Sequence, residues 1–295
     1  MKTILVTGAN GQVGWELQRT LAPMGRVIAL DRQAMDLADP DRIRAVLRAA
    51  KPEIIVNGAA YTAVDRAEQE PELAAKINGQ APGIMAEEAR RLKAALIHYS
   101  TDYVFDGRKT SPYTEADHPN PLGVYGRTKL AGEEAIRAVG GSFLILRTSW
   151  VYGLRGTNFL RTILRLARER EELKVVDDQV GSPTWSRMLA QTTAQILARH
   201  QEDTPARLAE LAGVYHLAAG GRTTWYGFAR AILDKTADLP GRKLVRLHPI
   251  PTAEYPTPAR RPAFSLLACD RLRDRFKINT PEWETALDLA LGDYR

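Results

Sequence analysis

Gly8-Ala9-Asn10-Gly11-Gln12-Val13-Gly14 is the stretch that decides how the chain folds. Residues 2–7 before it form a short apolar run that reads as a buried strand. Trp15, Leu17 and Leu21 after it recur at roughly helical spacing, up to Pro23. A strand, a glycine-rich turn and a helix in that order form the phosphate-binding start of a dinucleotide fold. Gly8 allows the tight turn, Gly11 lets a pyrophosphate approach the backbone, and Gly14 lets the helix pack on the strand. The helix N-terminus adds unpaired N–H groups and a positive dipole end. The competing reading is a glycine-rich turn without a ligand. The strand before it and the helix after it favour the dinucleotide site, with Gln12 and Val13 over the pyrophosphate.

The same alternation continues outward. Residues 27–30 read as a second strand with Asp31 at its end, placed to accept hydrogen bonds from the adenosine ribose and so to favour NADH. Arg32 follows and suits a 2′-phosphate, so NADPH and NADH are both expected. Asp36 and Leu37 could border the adenine; a helix-entry aspartate is an equal reading of the first. A helix is expected over residues 40–50 and a strand over 54–56. Beyond that strand lie Asn57, Gly58, Ala59, Ala60, Tyr61 and Thr62, whose small members leave room for a ligand. A helix then starts near Pro71 and runs past Ala86, with Asn78 inside it as a solvated or locally bonded residue that could also steady the site. Residues 94–99 read as a strand that delivers Ser100, Thr101 and Asp102, and residues 143–146 as another. Five strands alternating with helices predict an α/β protein with a Rossmann-like, doubly wound parallel sheet. After Trp150 the pattern is less regular. We divide the chain into a nucleotide-binding domain, residues 1–150, and a smaller C-terminal α/β substrate lobe, residues 151–295, whose chain is free to cross back into the sheet.

The chemistry centres on Val124-Tyr125-Gly126-Arg127-Thr128-Lys129. Residues four apart on a helix share a face, so Tyr125 and Lys129 come within reach of each other. An ammonium beside a phenol favours the phenolate, which would bring Tyr125 into acid/base range. Such a pair also arises by chance on surface helices, and the flanking motifs are what give it weight.

Composition sets outer limits. The 295 residues are 44% hydrophobic and 26% charged, with a formal charge of +6. That is an ordinary globular balance. The basic excess is spread without a long Lys/Arg block, which points to anionic small molecules rather than nucleic acid. Cys269 is the single cysteine, so no intrachain disulfide forms, as in a reducing compartment. No apolar stretch approaches bilayer length, and a cytoplasmic protein without membrane contact is expected.

Taken together, the glycine pattern, Thr101 and Tyr125-x-x-x-Lys129 resemble the extended short-chain dehydrogenase/reductases. Within them the chain is similar to the dTDP-4-dehydrorhamnose reductase family. The stretches that carry this are GQVGWELQR from Gly11, HYSTDYVFDG from His98, VYGRTKLAGE from Val124, RTSWVYG from Arg147 and DDQVGSPT from Asp177. TAVDRAE from Thr62, VYHLAAGG from Val214 and YPTPARRP from Tyr255 extend the likeness over nearly the whole chain. The resemblance implies reduction of the 4-keto group of a dTDP-sugar by hydride from NADPH or NADH. It gives Thr101 the keto oxygen and Tyr125 the proton, and has Lys129 bind the nicotinamide ribose and lower the tyrosine pKa. It places Gly11, Gln12 and Val13 over the pyrophosphate, Asp31, Asp36 and Leu37 around the adenosine, and Ala60, Tyr61, Thr62 and Tyr99 along the cofactor groove. Thr101, Asp102 and Trp150 would touch the sugar nucleotide. Arg261, in a proline-rich segment, is a candidate diphosphate contact.

Other readings predict other residues. A sugar-nucleotide dehydratase would want an Asp-Glu pair after the threonine, and Asp102 is followed by Tyr103. An epimerase-reductase would want a further acid/base, and Cys269 lies far along the chain. A nucleotide-binding regulatory subunit would bind cofactor without turnover, which leaves Thr101, Tyr125 and Lys129 without a purpose. Some family members are described with magnesium bridging carboxylates at a subunit contact. Glu16 is present here, but Ser186-Arg187 stands where an acid is expected, so no metal site is assigned. A monomer or homodimer is expected.

Overall fold

The computed structural model describes residues 1–200 and 202–294. Its first half runs β1 (Thr3–Thr7), α1 (Gln12–Leu21), β2 (Arg26–Leu30), α2 (Pro40–Ala50), β3 (Ile54–Asn57), α3 (Val64–Ala67), α4 (Pro71–Ala75), α5 (Ala81–Leu92), β4 (Ala95–Thr101), α6 (Val124–Val139) and β5 (Phe143–Thr148). The second half adds β6 (Val151–Tyr152), α7 (Phe159–Glu169), β7 (Glu172–Val176), β8 (Val180–Gly181), β9 (Thr184–Trp185), α8 (Ser186–Arg199), α9 (Thr204–Glu210) and β10 (Gly213–His216). It ends with β11 (Thr223–Thr224), α10 (Trp225–Lys235), β12 (Arg246–Ile250), α11 (Asp270–Phe276) and α12 (Trp283–Gly292).

The central sheet has six parallel strands in the order β10-β5-β4-β3-β1-β2. The expected doubly wound α/β fold is therefore present, with β10 returning to the sheet beside β5. Its strands are apolar on both faces because both are covered. Ile4, Val6, Val56, Ile97 and Leu146 face one core, shared with Leu17 of α1 and Leu189 of α8. Leu5, Ile55, Leu96 and Ile145 point the other way, onto Ile43, Leu47, Met85 and Ile136. That two-residue alternation turns continuous apolar runs into two packed layers.

Helix caps explain where the site-bearing helices begin. Asp39 caps α2 by accepting from the N–H groups of Asp41 and Arg42 at 3.0 Å, with Pro40 in the first turn. Gly123, at the start of α6, has no side chain to offer. The Glu68 carboxylate accepts the Val124 N–H at 2.7 Å instead and sits at the positive end of the helix dipole.

Between α4 and α5 the helix is continuous but widens to a π segment, Lys76–Gln80. The wide turn carries Asn78, which is buried. Its Oδ1 accepts the Tyr61 N–H at 2.8 Å, and its Nδ2 donates to the Tyr61 carbonyl at 3.0 Å and to Thr128 Oγ1 at 3.3 Å. Asn78 thus ties the loop after β3 to α6.

Outside the sheet, β7 and β12 pair in parallel, β6 pairs with β9, and β8 pairs with β11. Among the described residues no helix is long and apolar enough to cross a membrane.

Candidate active site

The sheet's carboxyl edge gathers the residues singled out in the sequence. Gly11 begins α1 and offers no side-chain cap, so the first-turn N–H groups are left for a ligand. Gly8 turns at φ +72°, and a Cβ on Gly14 would lie 2.0 Å from the Gly8 carbonyl oxygen. Glycine is therefore required at both positions. Gln12 reaches the second half of the chain, its Oε1 accepting from Asn158 at 2.8 Å. Val13 packs against the first core. These features fit a dinucleotide pyrophosphate lying over the turn.

At the end of β2, Asp31 Oδ1 accepts from the Gln33 and Ala34 N–H groups, and Asn10 Nδ2 donates to Asp31 Oδ2 at 3.2 Å. Asn10, Asp31, Arg32, Gln33 and Asp36 line an open groove of about 600 Å³. Arg32 pairs with Asp36 at 3.4 Å and is largely exposed. Leu37 is buried in the second core and does not line that groove. Ala60 and Tyr61 are half-buried and Thr62 is exposed along the next loop, with the Tyr61 hydroxyl donating to Glu70 at 2.6 Å. If Arg32 receives the 2′-phosphate, Arg32→Ala should raise KM for NADPH roughly tenfold while changing that for NADH little. Equal changes in both constants would remove Arg32 from cofactor discrimination.

Thr101 ends β4 and enters a 3-10 turn, Asp102–Val104, which it caps by accepting the Tyr103 N–H at 3.2 Å. Tyr125 lies within hydrogen-bonding reach of Thr101, and its ring meets Tyr103 edge-on at 5.5 Å. Thr101 Oγ1 donates to Asp102 Oδ1 at 3.0 Å. Asp102 is buried, and its Oδ2 lacks a hydrogen-bond partner. Burial raises its pKa to about 7, against hydrogen bonds from Ser265 and Thr101.

Lys129 is buried and donates to the Tyr99 carbonyl at 2.6 Å, with His98 Nε2 at 3.2 Å. Burial lowers its pKa to about 8, and Glu133 one turn on opposes that fall. The expected lowering of the Tyr125 pKa is absent in this arrangement. Burial pushes that phenol up to about 12, Thr101 pulls it down and Asp102 pushes it up. The Lys129 ammonium is engaged by Tyr99 and His98 instead. Tyr99 supplies its carbonyl, while its hydroxyl is turned away onto Thr193 at 2.6 Å.

Four polar residues, Thr7, His98, Glu133 and Arg147, were not singled out in the sequence. His98 Nδ1 lies 2.9 Å from Asn57 Nδ2, and the Thr7 hydroxyl donates to Asn57 Oδ1 at 2.6 Å. Glu133 forms a buried pair with Arg147, with contacts of 2.6 and 2.9 Å, and also receives the Ser100 hydroxyl. A polar residue inside an apolar strand is the signal that could have found Thr7, His98 and Arg147, because buried polar groups are normally satisfied; Glu133, on α6, gives no such signal.

Trp150, at φ +45°, stacks on Trp225 with centroids 3.6 Å apart. Trp225 Nε1 donates to Gln179 Oε1 at 3.2 Å. Nearby is a pocket of about 320 Å³ lined by residues that include Phe159, Val176, Gln179, Trp225 and Arg261. Arg261 donates to Asp65 at 2.8 Å and also contacts Thr257 and the Tyr103 hydroxyl.

The sequence profile described as the RmlD substrate binding domain matches residues 1–295. The dTDP-4-dehydrorhamnose reductase of Burkholderia thailandensis is 50% identical over 293 residues, covering 98% of either chain. The chain belongs to the dTDP-4-dehydrorhamnose reductase family. The Escherichia coli K12 member is 45% identical over 98% of this chain and 97% of its own. Among solved structures, the Bacillus anthracis family member in complex with NADP superposes with a TM-score of 0.89 at 34% identity, covering 99% of both chains. The Clostridium acetobutylicum member gives 0.90 at 36% identity, with the same coverage.

At the expected subunit-contact position a cation stands between two acids. Arg187 Nε donates to Glu16 at 3.1 Å, and its Nη1 contacts Asp293 just past α12. The guanidinium joins α1, α8 and the end of α12. We expect chelation to leave turnover and sedimentation unchanged. Chelation that converted a dimer to monomer, or slowed the enzyme, would show that a metal acts here after all.

Proposed function

We propose that the protein reduces the 4-keto group of dTDP-4-dehydro-β-L-rhamnose to the alcohol, giving dTDP-β-L-rhamnose, with NADPH or NADH as hydride donor. The observation that carries this reading is the meeting of Thr101, Tyr125 and Lys129 at the sheet's carboxyl edge, beside the uncapped glycine turn. The family membership of the whole chain supports the substrate.

Bound over the glycine turn, the dinucleotide supplies a hydride. Gly11, Gln12 and Val13 would hold its pyrophosphate, Asp31 and Arg32 its adenosine end, and Lys129 its second ribose. Reduction of a ketone builds negative charge on oxygen, so hydrogen-bond donors and one transferable proton must be there. Thr101 and Tyr125 provide both, and a phenol with a pKa near 12 is protonated at neutral pH, as a proton donor must be. Asp102, with its unpartnered oxygen, is a further group for the sugar. The apolar walls and Gln179 of the Trp225 pocket suit a pyrimidine base, and Arg261 suits a diphosphate. The test is oxidation of NADPH by dTDP-4-dehydrorhamnose generated in situ, with dTDP-glucose as the negative control. Cofactor binding without turnover would favour the regulatory reading instead.

A further inference from the structure

From Lys129 a chain of buried side chains runs back through the sheet, and its other three members have no part in the reading above. Lys129, His98, Asn57 and Thr7 are each at most 2% exposed. They sit on α6, β4, β3 and β1 and are linked by contacts of 3.2, 2.9 and 2.6 Å. At its far end Thr7 Oγ1 also accepts the Ala59 N–H at 3.1 Å, in the loop after β3, and Thr7 directly precedes the glycine turn.

Donors and acceptors in such a chain must alternate. An ammonium has only protons to give, so with Lys129 charged His98 Nε2 must accept. A neutral imidazole then carries its proton on Nδ1 and needs an acceptor there. As placed, the Asn57 amide turns its nitrogen to the ring and its oxygen to the Thr7 hydroxyl; with Lys129 charged the two must be exchanged, which their like shape permits, so that the oxygen accepts from Nδ1–H. The amide nitrogen then donates to Thr7 Oγ1. The reverse direction would put a proton on Nε2, pointing at the ammonium. The ionic charges acting on this pair are the Lys129 ammonium on His98 and the Glu133 carboxylate on Lys129. Tyr125 lies one turn before Lys129 on α6, and β1 and β3 offer only the neutral Thr7 and Asn57. Burial and the Lys129 charge both hold His98 neutral, well below its ordinary pKa.

We propose that His98 is a positioning residue for Lys129: locked by Asn57 and Thr7 as its Nδ1–H tautomer, it accepts from the ammonium, keeps it charged, and leaves one of its three protons for the ribose. Tyr99 O takes the second proton, so the direction of the third is set by these two acceptors. A hydrogen bond to the charged form favours that form.

The tautomer can be read in the wild-type protein without any variant. The ¹⁵N shifts of the His98 ring, assigned by their loss in His98→Gln, should report Nδ1–H and a bare Nε2 at neutral pH. An Nε2–H signature would overturn the proposal. The functional readout is NADPH affinity, measured by fluorescence between about pH 6 and pH 10, the range in which a shifted lysine titrates. Affinity should fall at the alkaline end as Lys129 loses its proton. His98→Leu should move the midpoint of that fall down by about one pH unit. His98→Gln, whose Oε1 can accept, should bring it back. An unmoved midpoint in His98→Leu, with affinity lowered evenly at all pH values, would reduce His98 to a packing residue and sink the idea. The proposal rests on the keto-reductase reading only for its consequence in turnover. Cofactor binding needs no sugar substrate, so an enzyme inactive on dTDP-4-dehydrorhamnose would still answer the question about His98.

Discussion

Tyr125→Phe should lower kcat by roughly 10²–10⁴-fold, the usual worth of a positioned general acid. The ring and its edge-on contact with Tyr103 are retained, and only the hydroxyl that meets Thr101 is lost. NADPH affinity, followed by fluorescence, should change little. Lys129→Met should behave differently, because it removes the charge and the ribose contact together: kcat and cofactor affinity both fall. The double variant should lose far less than the product of the two, since residues that act as one unit are not additive. Near-normal turnover by Tyr125→Phe, under conditions where chemistry limits the rate, would remove Tyr125 from the role of acid.

The second large effect is on stability. Glu133 and Arg147 are at most 3% exposed, and their pair lies directly below Ser100 and Lys129. Glu133→Ala leaves the guanidinium buried without its partner. The cost should be about 3–5 kcal/mol in denaturant unfolding, the range for breaking a buried pair from one side. Arg147 Nη1 already lacks a partner, so the site has no spare acceptor to take over. Replacing both residues, with Glu133→Leu and Arg147→Met, should recover much of that loss, because no charge is then stranded. A double variant as unstable as Glu133→Ala would place the cost in packing rather than charge. The lysine provides a second readout. Glu133 is the charge that holds the Lys129 pKa up, so the alkaline loss of cofactor affinity should begin at lower pH once it is gone.

The sequence carried the first half of the fold because each buried strand announces itself. A run such as Ile54-Ile55-Val56, bounded by polar and glycine residues, can be little else in so short a space. The second half was less legible for a physical reason. β7 and β12 pair across some seventy residues of chain, and two-residue strands such as β6 and β9 have no pattern of their own. Partners alone create them. The same holds in the site. Tyr125 and Lys129 could be read from helical spacing, and Thr101 from its place at a strand end. His98 and Asn57 each look like a lone polar residue in an apolar strand, and their meaning arises only when β3 and β4 lie side by side. Arg187 stood out as a departure from an expected acid, yet nothing local tells that Asp293 comes around to meet it.

The π turn at Lys76–Gln80 has a consequence for insertions and deletions. It fits one extra residue into a continuous helix, between Pro71–Ala75 and Ala81–Leu92. Removing a single residue there would let the backbone relax into an ordinary α-helix, which at first sight is an improvement. Because a π turn holds one extra residue within nearly the same rotation, the segments on either side of the cut would keep almost their present facing. Ala81, Met85 and Ala89 would stay in the second core, and the loss would fall on Asn78, whose widened turn ties the Tyr61 loop to α6. In a library of one-residue deletions, those in Ala81–Leu92 should be depleted for stability, because regular helix there turns by about 100° per residue lost, whereas those in Lys76–Gln80 should fold and lose activity.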